Sequence, residues 1–183
     1  MKRIWRLTLL TAVLVSAMGM TACEKEENND NNGGGQQPPA DNSPAYAFVY
    51  QGQVLAAGDT IYYYPTSEEA SDTIDQAAVE FYLKNLTDAN KETQMLFEMT
   101  EGSMAMANYL EVCFGDGCSG GRSPWTSSVF TVAPGLNENL PVKFDYAPSK
   151  VTETTVIRVK VGENSSLARS QVMYLNVAAS PKE

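Results

Sequence analysis

The chain has 183 residues, with 13 lysines and arginines against 22 aspartates and glutamates, for a net charge of −9. So acidic a chain repels phosphates, which argues against nucleic acid and anionic lipid headgroups as direct partners. Histidine is absent, so neither a Ser-His-Asp nor a Cys-His apparatus can be built, and the commonest transition-metal ligand is missing.

Lys2, Arg3 and Arg6 precede an apolar run from Leu7 to Met18. That is the charged and apolar pair of regions of a secretory signal. The run is shorter than the ~20 residues a membrane-spanning helix needs. Met20-Thr21-Ala22-Cys23 resembles a bacterial lipobox, with Met20 where leucine is usual. The resemblance implies removal of residues 1–22 and a diacylglyceryl group on the thiol of Cys23. The alternative is an ordinary signal peptide cut after Ala22, leaving a free thiol. Each buried acyl CH₂ contributes roughly 0.8 kcal/mol, so two or three chains would hold the protein at the membrane almost irreversibly.

Glu24-Lys25-Glu26-Glu27 is similar to the lysine-plus-acid export signal of lipoproteins carried to the outer face of the outer membrane. It implies the cell surface, with the periplasmic face as the alternative. From Glu24 to Ser43 the residues are polar or small, and they bury too little apolar surface to offset the entropy of ordering. Residues 23–43 therefore read as the anchor and a polar tether spanning roughly 25 Å as a flexible coil. About 140 residues, 44–183, remain for one domain of ordinary size.

Along that domain the pattern alternates with period two. Short β-rich runs fall at Tyr46–Tyr50, Ile61–Tyr64, Met95–Thr100, Tyr109–Phe114 and Ser128–Val132. Clearer strands place Val79, Phe81 and Leu83 on one face, then Val142, Phe144 and Tyr146, then Ile157, Val159 and Val161, then Met173, Leu175 and Val177. Turn signals separate them, among them Gly58-Asp59, Pro134-Gly135 and Gly162-Glu163-Asn164. Ser67-Glu68-Glu69 and the spacing of Ile74, Ala77, Ala78 and Phe81 also fit a helix, but a loop entering a strand at Val79 fits the following residues better. Eight or nine short strands predict an all-β antiparallel sandwich.

The segment Val79–Phe114, strand, polar turn, strand and the first of two close cysteines, resembles immunoglobulin-like domains of bacterial surface and secreted proteins. The resemblance implies a binding or spacer module. The antibody signature of distant cysteines flanking a tryptophan is absent.

Cys113-Phe114-Gly115-Asp116-Gly117-Cys118 predicts a structural disulfide in an exported chain. Metal binding there would need two further ligands, and the domain offers no histidine and no third cysteine. An EF-hand spacing around Asp116 is missing. Met95, Met99, Met104 and Met106 lack the regular spacing of copper carriers and read as core filling. Trp125 is either a plug at one end of the sandwich or an exposed platform for a sugar ring. Tyr62-Tyr63-Tyr64 puts rings on both faces of one strand, so at least one, of Tyr62 or Tyr64, is exposed and suited to an interface; the alternative is that the three cover an edge of the sheet. Asp59-Thr60-Ile61 and Asp72-Thr73-Ile74 are similar to the acceptor of a bacterial O-glycosylation system, which implies modification at Thr60 and Thr73. The alternative is two turns entering strands.

The sequence thus predicts a surface-tethered lipoprotein, without cofactor or catalysis, that binds outer-membrane proteins or glycans. The runner-up is a structural component of a fibre or envelope complex assembled by strand donation. A carboxylate-dependent hydrolase comes third and would need two convergent acids in a deep pocket.

Overall fold

The structure, a computed structural model, describes residues 42–183 apart from 103, 116 and 122. The signal segment, Cys23 and nearly all of the tether lie outside the described residues. Thirteen strands follow in order: β1 (Tyr46–Tyr50), β2 (Gln53–Val54), β3 (Thr60–Tyr63), β4 (Ala77–Asn85), β5 (Lys91–Glu101), β6 (Leu110–Phe114) and β7 (Gly117–Gly120). After them come β8 (Trp125–Thr126), β9 (Phe130–Val132), β10 (Gly135–Leu136), β11 (Val142–Tyr146), β12 (Thr155–Glu163) and β13 (Ala168–Val177). A single helical turn, Met104–Ala107, joins β5 to β6, and a 3₁₀ turn, Pro148–Lys150, follows β11.

The strands form two sheets. One runs β2-β1-β4-β11-β6-β7, with β10 alongside β4; the other runs β3-β13-β12-β5-β8, with β9 alongside β5. The inner orders β1-β4-β11-β6 and β5-β12-β13 are those of the ABED and CFG sheets of an immunoglobulin sandwich. The expectation of an all-β sandwich is met. It is not wholly antiparallel, because β3 pairs with β13 in parallel, Thr60 opposite Tyr174 and Tyr63 opposite Val177.

The alternation read from the sequence sets the two faces. Val79, Phe81 and Leu83 of β4 point inward, as do Val142, Phe144 and Tyr146 of β11. They meet Ile157, Val159 and Val161 of β12 and Met173, Leu175 and Val177 of β13 in one buried cluster. Phe48 and Phe81 pack edge to face at 5.9 Å. The sheets are also joined by hydroxyls. Tyr46 of β1 sets its hydroxyl 2.6 Å from Thr93 Oγ1 of β5, and Tyr146 donates to the Ala178 carbonyl at 2.9 Å.

Two local readings change, and a third holds with its strand opening at Ala77, two residues early. The region before β4 does begin like a helix: Thr66 and Glu69 exchange side-chain and backbone hydrogen bonds at 2.7 and 3.2 Å, a capping-box arrangement. Ser71, Asp72 and Thr73 follow, poor helix formers that compete for backbone groups, and the segment stays in turns until β4 opens at Ala77. Gly162-Glu163 is not a turn, because β12 runs through Glu163 and the reversal falls at Asn164–Leu167, whose end residues have φ of 47° and 52°. Gly162 serves close approach instead, since a Cβ there would collide with the Leu167 backbone. Pro134-Gly135 likewise leads straight into β10, with Gly135 at φ 85°.

Candidate functional site

The β6–β7 hairpin is pinned at its centre. Cys113 and Cys118 face each other in register, 4.0 Å apart at Cα, and form the disulfide the spacing predicts. The tip needs Gly115, whose φ is 59° and where a Cβ would enter the Phe130 ring. That ring packs edge-on to Phe114 at 5.1 Å, so the tip is held from below by β9. Asp116 lies outside the described residues, and with it the calcium reading.

Trp125 opens β8 directly opposite Phe97 of β5, and the two rings stack at 5.2 Å. One face of the indole is therefore taken by the core, and the residue is half-buried. Met95 and Met106 are buried and Met99 packs against the same cluster, while the side chain of Met104 lies outside what is described.

Strand β3 forms the edge of its sheet and splits the tyrosine triplet by alternation. Tyr63 turns inward, edge-on to Tyr146 at 6.3 Å, and donates to Glu69 at 3.1 Å. Burial, followed by the Glu69 carboxylate accepting its proton, pushes its phenol up to about 12. Tyr62 points outward and is 63% exposed; Tyr64, just past the strand, is 42% exposed with Lys182 Nζ 5.7 Å from its ring centre. Thr60 begins the same strand and is half-buried, whereas Thr73 sits exposed in the turns before β4. The two threonines are thus presented differently, one on a paired strand and one on an open turn.

One recess was not legible in the sequence. A groove of about 540 Å³ lies where the starts of β4 and β6 meet the ends of β7 and β11. Its wall carries Tyr109, 48% exposed, with Lys150 Nζ 5.4 Å from the ring centre. Asp75, Glu111 and Asp145 bring carboxylates to it. Asp75 is fixed by the Ser149 hydroxyl at 2.6 Å and the Ser149 N–H at 2.8 Å, and these bonds hold its carboxyl below the usual range. Asp145 is buried on β11, directly opposite Glu111 of β6, with Lys143 Nζ 3.1 Å from Oδ1. Among the described residues, that Oδ1 accepts no hydrogen bond, so the lysine offsets its charge without satisfying its lone pairs. Nothing in the pattern Val142–Tyr146 marks Asp145 as buried, because alternation places it on the solvent side, between Ala78 of β4 and Glu111 of β6.

The fold is that of an immunoglobulin-like sandwich. No known family profile matches the chain, and no curated protein matches it either. Among solved structures it is similar to the N-terminal domain of PorA, at 16% identity and a TM-score of 0.48 over 74% of this chain and 98% of that one. It is also similar to the secreted serine protease VesC from Vibrio cholerae, at 13% identity and a TM-score of 0.34, covering 64% of this chain and 21% of the protease.

Proposed function

We propose that the chain is a lipoprotein held in the outer membrane through Cys23 and facing the cell exterior, whose sandwich is a non-catalytic binding module for a protein or glycan partner. The observation that carries the binding role is the edge strand β3, which sets Tyr62 and Tyr64 in solvent while Tyr63 locks the strand to the core. Exposed tyrosines supply large, rigid contact area with a polar tip, which suits both protein surfaces and sugar rings. The lack of histidine throughout the sequence removes the commonest general base, which fits a non-catalytic role.

The test separates anchor from contact. Cells fed an alkynyl palmitate should label the wild-type chain and not Cys23→Ser, and protease added to intact cells should remove the domain. Chemical crosslinking on intact cells should then capture a defined partner or glycan, and Tyr62→Ala with Tyr64→Ala should reduce that capture at least tenfold. Unchanged capture by the double variant would overturn the assignment of β3.

A second reading, a fibre or envelope component built by strand donation, is favoured by the free edges. β3 ends one sheet and β7, composed of Gly117, Cys118, Ser119 and Gly120, ends the other with no bulky side chain to block an incoming strand. Oligomer ladders on non-denaturing gels that vanish when a proline replaces Gly120, whose N–H faces out from the edge, would select it.

A further inference from the structure

The outer face of the β6–β7 hairpin holds a cluster that sequence spacing did not reveal. Glu111 stands two residues before Cys113 on β6, so period two puts its side chain on the same face. One carboxylate oxygen of Glu111 and the two cysteine sulfurs all lie within 4.8 Å of one another. Among the described residues, no other trio of acidic or thiol side chains converges so closely. The cysteine spacing supplies two sulfurs, and the strand face adds a third ligand.

We propose that, once the Cys113–Cys118 bond is reduced, Glu111, Cys113 and Cys118 form a three-ligand site for a zinc ion. Tetrahedral zinc at its usual bond lengths needs ligand atoms about 3.5–3.8 Å apart. The register already holds the two cysteines face to face at a Cα separation of 4.0 Å, so side-chain rotation alone separates the freed sulfurs to that spacing. Cys118 and Glu111 are exposed, which leaves the fourth position open to water. Lys143 stands across from Cys113, but its ammonium is drawn to Asp145 at 3.1 Å and does not fill the site. Two thiolates and a carboxylate bring three negative charges to the divalent ion, a set that selects a borderline-soft metal over calcium or magnesium.

The redox step balances with a dithiol as reductant. One of its thiolates attacks a cysteine sulfur to give a mixed disulfide, its second closes the ring to a cyclic disulfide, and two electrons pass to the protein as two thiols. Zinc then takes both sulfurs as thiolates and releases two protons. The hairpin is stapled in either state, by a covalent bond or by a metal.

The experiment uses the full chain carrying Cys23→Ser, so that only the domain thiols respond. The protein is reduced with a dithiol, desalted without oxygen and titrated with cobalt(II) and then zinc. One equivalent of cobalt should bind with a thiolate-to-metal charge-transfer band, zinc should displace it, and the oxidised protein should show neither. Glu111→Gln, a solvent-facing change, should weaken zinc at least tenfold with native circular dichroism retained, and Cys118→Ser should abolish the band. Equal binding to oxidised and reduced protein, binding indifferent to Glu111, or no binding by folded reduced protein would each overturn the proposal.

Discussion

The hydroxyl pair between the sheets gives the sharpest energetic prediction. Tyr46 is 0% exposed, and its hydroxyl sits 2.6 Å from Thr93 Oγ1, which is also 3.2 Å from the Lys91 carbonyl. Thr93 has one proton and gives it to that carbonyl, so Tyr46 is the donor in the inter-sheet bond. Tyr46→Phe removes the donor and leaves a threonine that still donates, at a cost of about 1–1.5 kcal/mol. Thr93→Val instead strands a buried phenol and costs about 2–3 kcal/mol. The double variant loses both groups and leaves neither unpaired, so it should cost less than the sum, with a coupling of about 1–2 kcal/mol. Urea unfolding should show falling midpoints at an unchanged m-value, and Tyr46→Phe alone should lower the melting temperature by about 3–6 °C in a domain of this size. Burial, set against the hydrogen bond to Thr93, still raises the Tyr46 phenol above 10, so the result should be the same at pH 6 and pH 8. Strict additivity would refute the claim that the two hydroxyls act as one contact.

Alkaline pH should unfold the domain through its inward tyrosines. The Tyr63 phenol lies near 12 against 10 in an unfolded chain, and burial raises Tyr146 as well. A raised folded-state value means the folded state holds the proton more tightly. The stability it confers is complete below pH 10 and is lost as pH rises through about 12. Tyr63→Phe should move the alkaline unfolding midpoint upward, read by circular dichroism alongside tyrosinate absorbance. At the hairpin tip, Gly115→Ala must adopt φ 59° and push its methyl into Phe130, which should cost about 2–3 kcal/mol in guanidinium unfolding. Gly52→Ala, at φ 77° with open space around it, should cost only about 1 kcal/mol in the same assay.

How much of this was legible beforehand depended on where the deciding force lay. The strands around Val79, Val142, Ile157 and Met173 were readable because one face is buried and the period of two follows directly from that burial. The disulfide was readable because five residues of separation leave two cysteines little choice but each other. The outcome at Gly162 was not, since glycine signals a turn in isolation, and only the return of the chain at Leu167 shows that its missing side chain makes room. The groove beside Tyr109 arises from strand neighbours, Asp145 beside Glu111, and neighbour identity is set by sheet order, whereas Glu111 shares a face with Cys113 by period two alone. That order came from tertiary pairing, which no local pattern encodes.

The parallel pairing of β3 with the final strand has a mechanical consequence. The chain enters β3 and leaves β13 at opposite ends of the same four-residue ladder, Thr60–Tyr63 against Tyr174–Val177. A force applied at Thr60 and Val177 would slide these two strands lengthwise and load every rung together, whereas an antiparallel hairpin pulled at its open end parts one rung at a time. A pull arriving from the N-terminal side meets β1 first, held between β2 and β4, and reaches the parallel ladder only after that strand has let go.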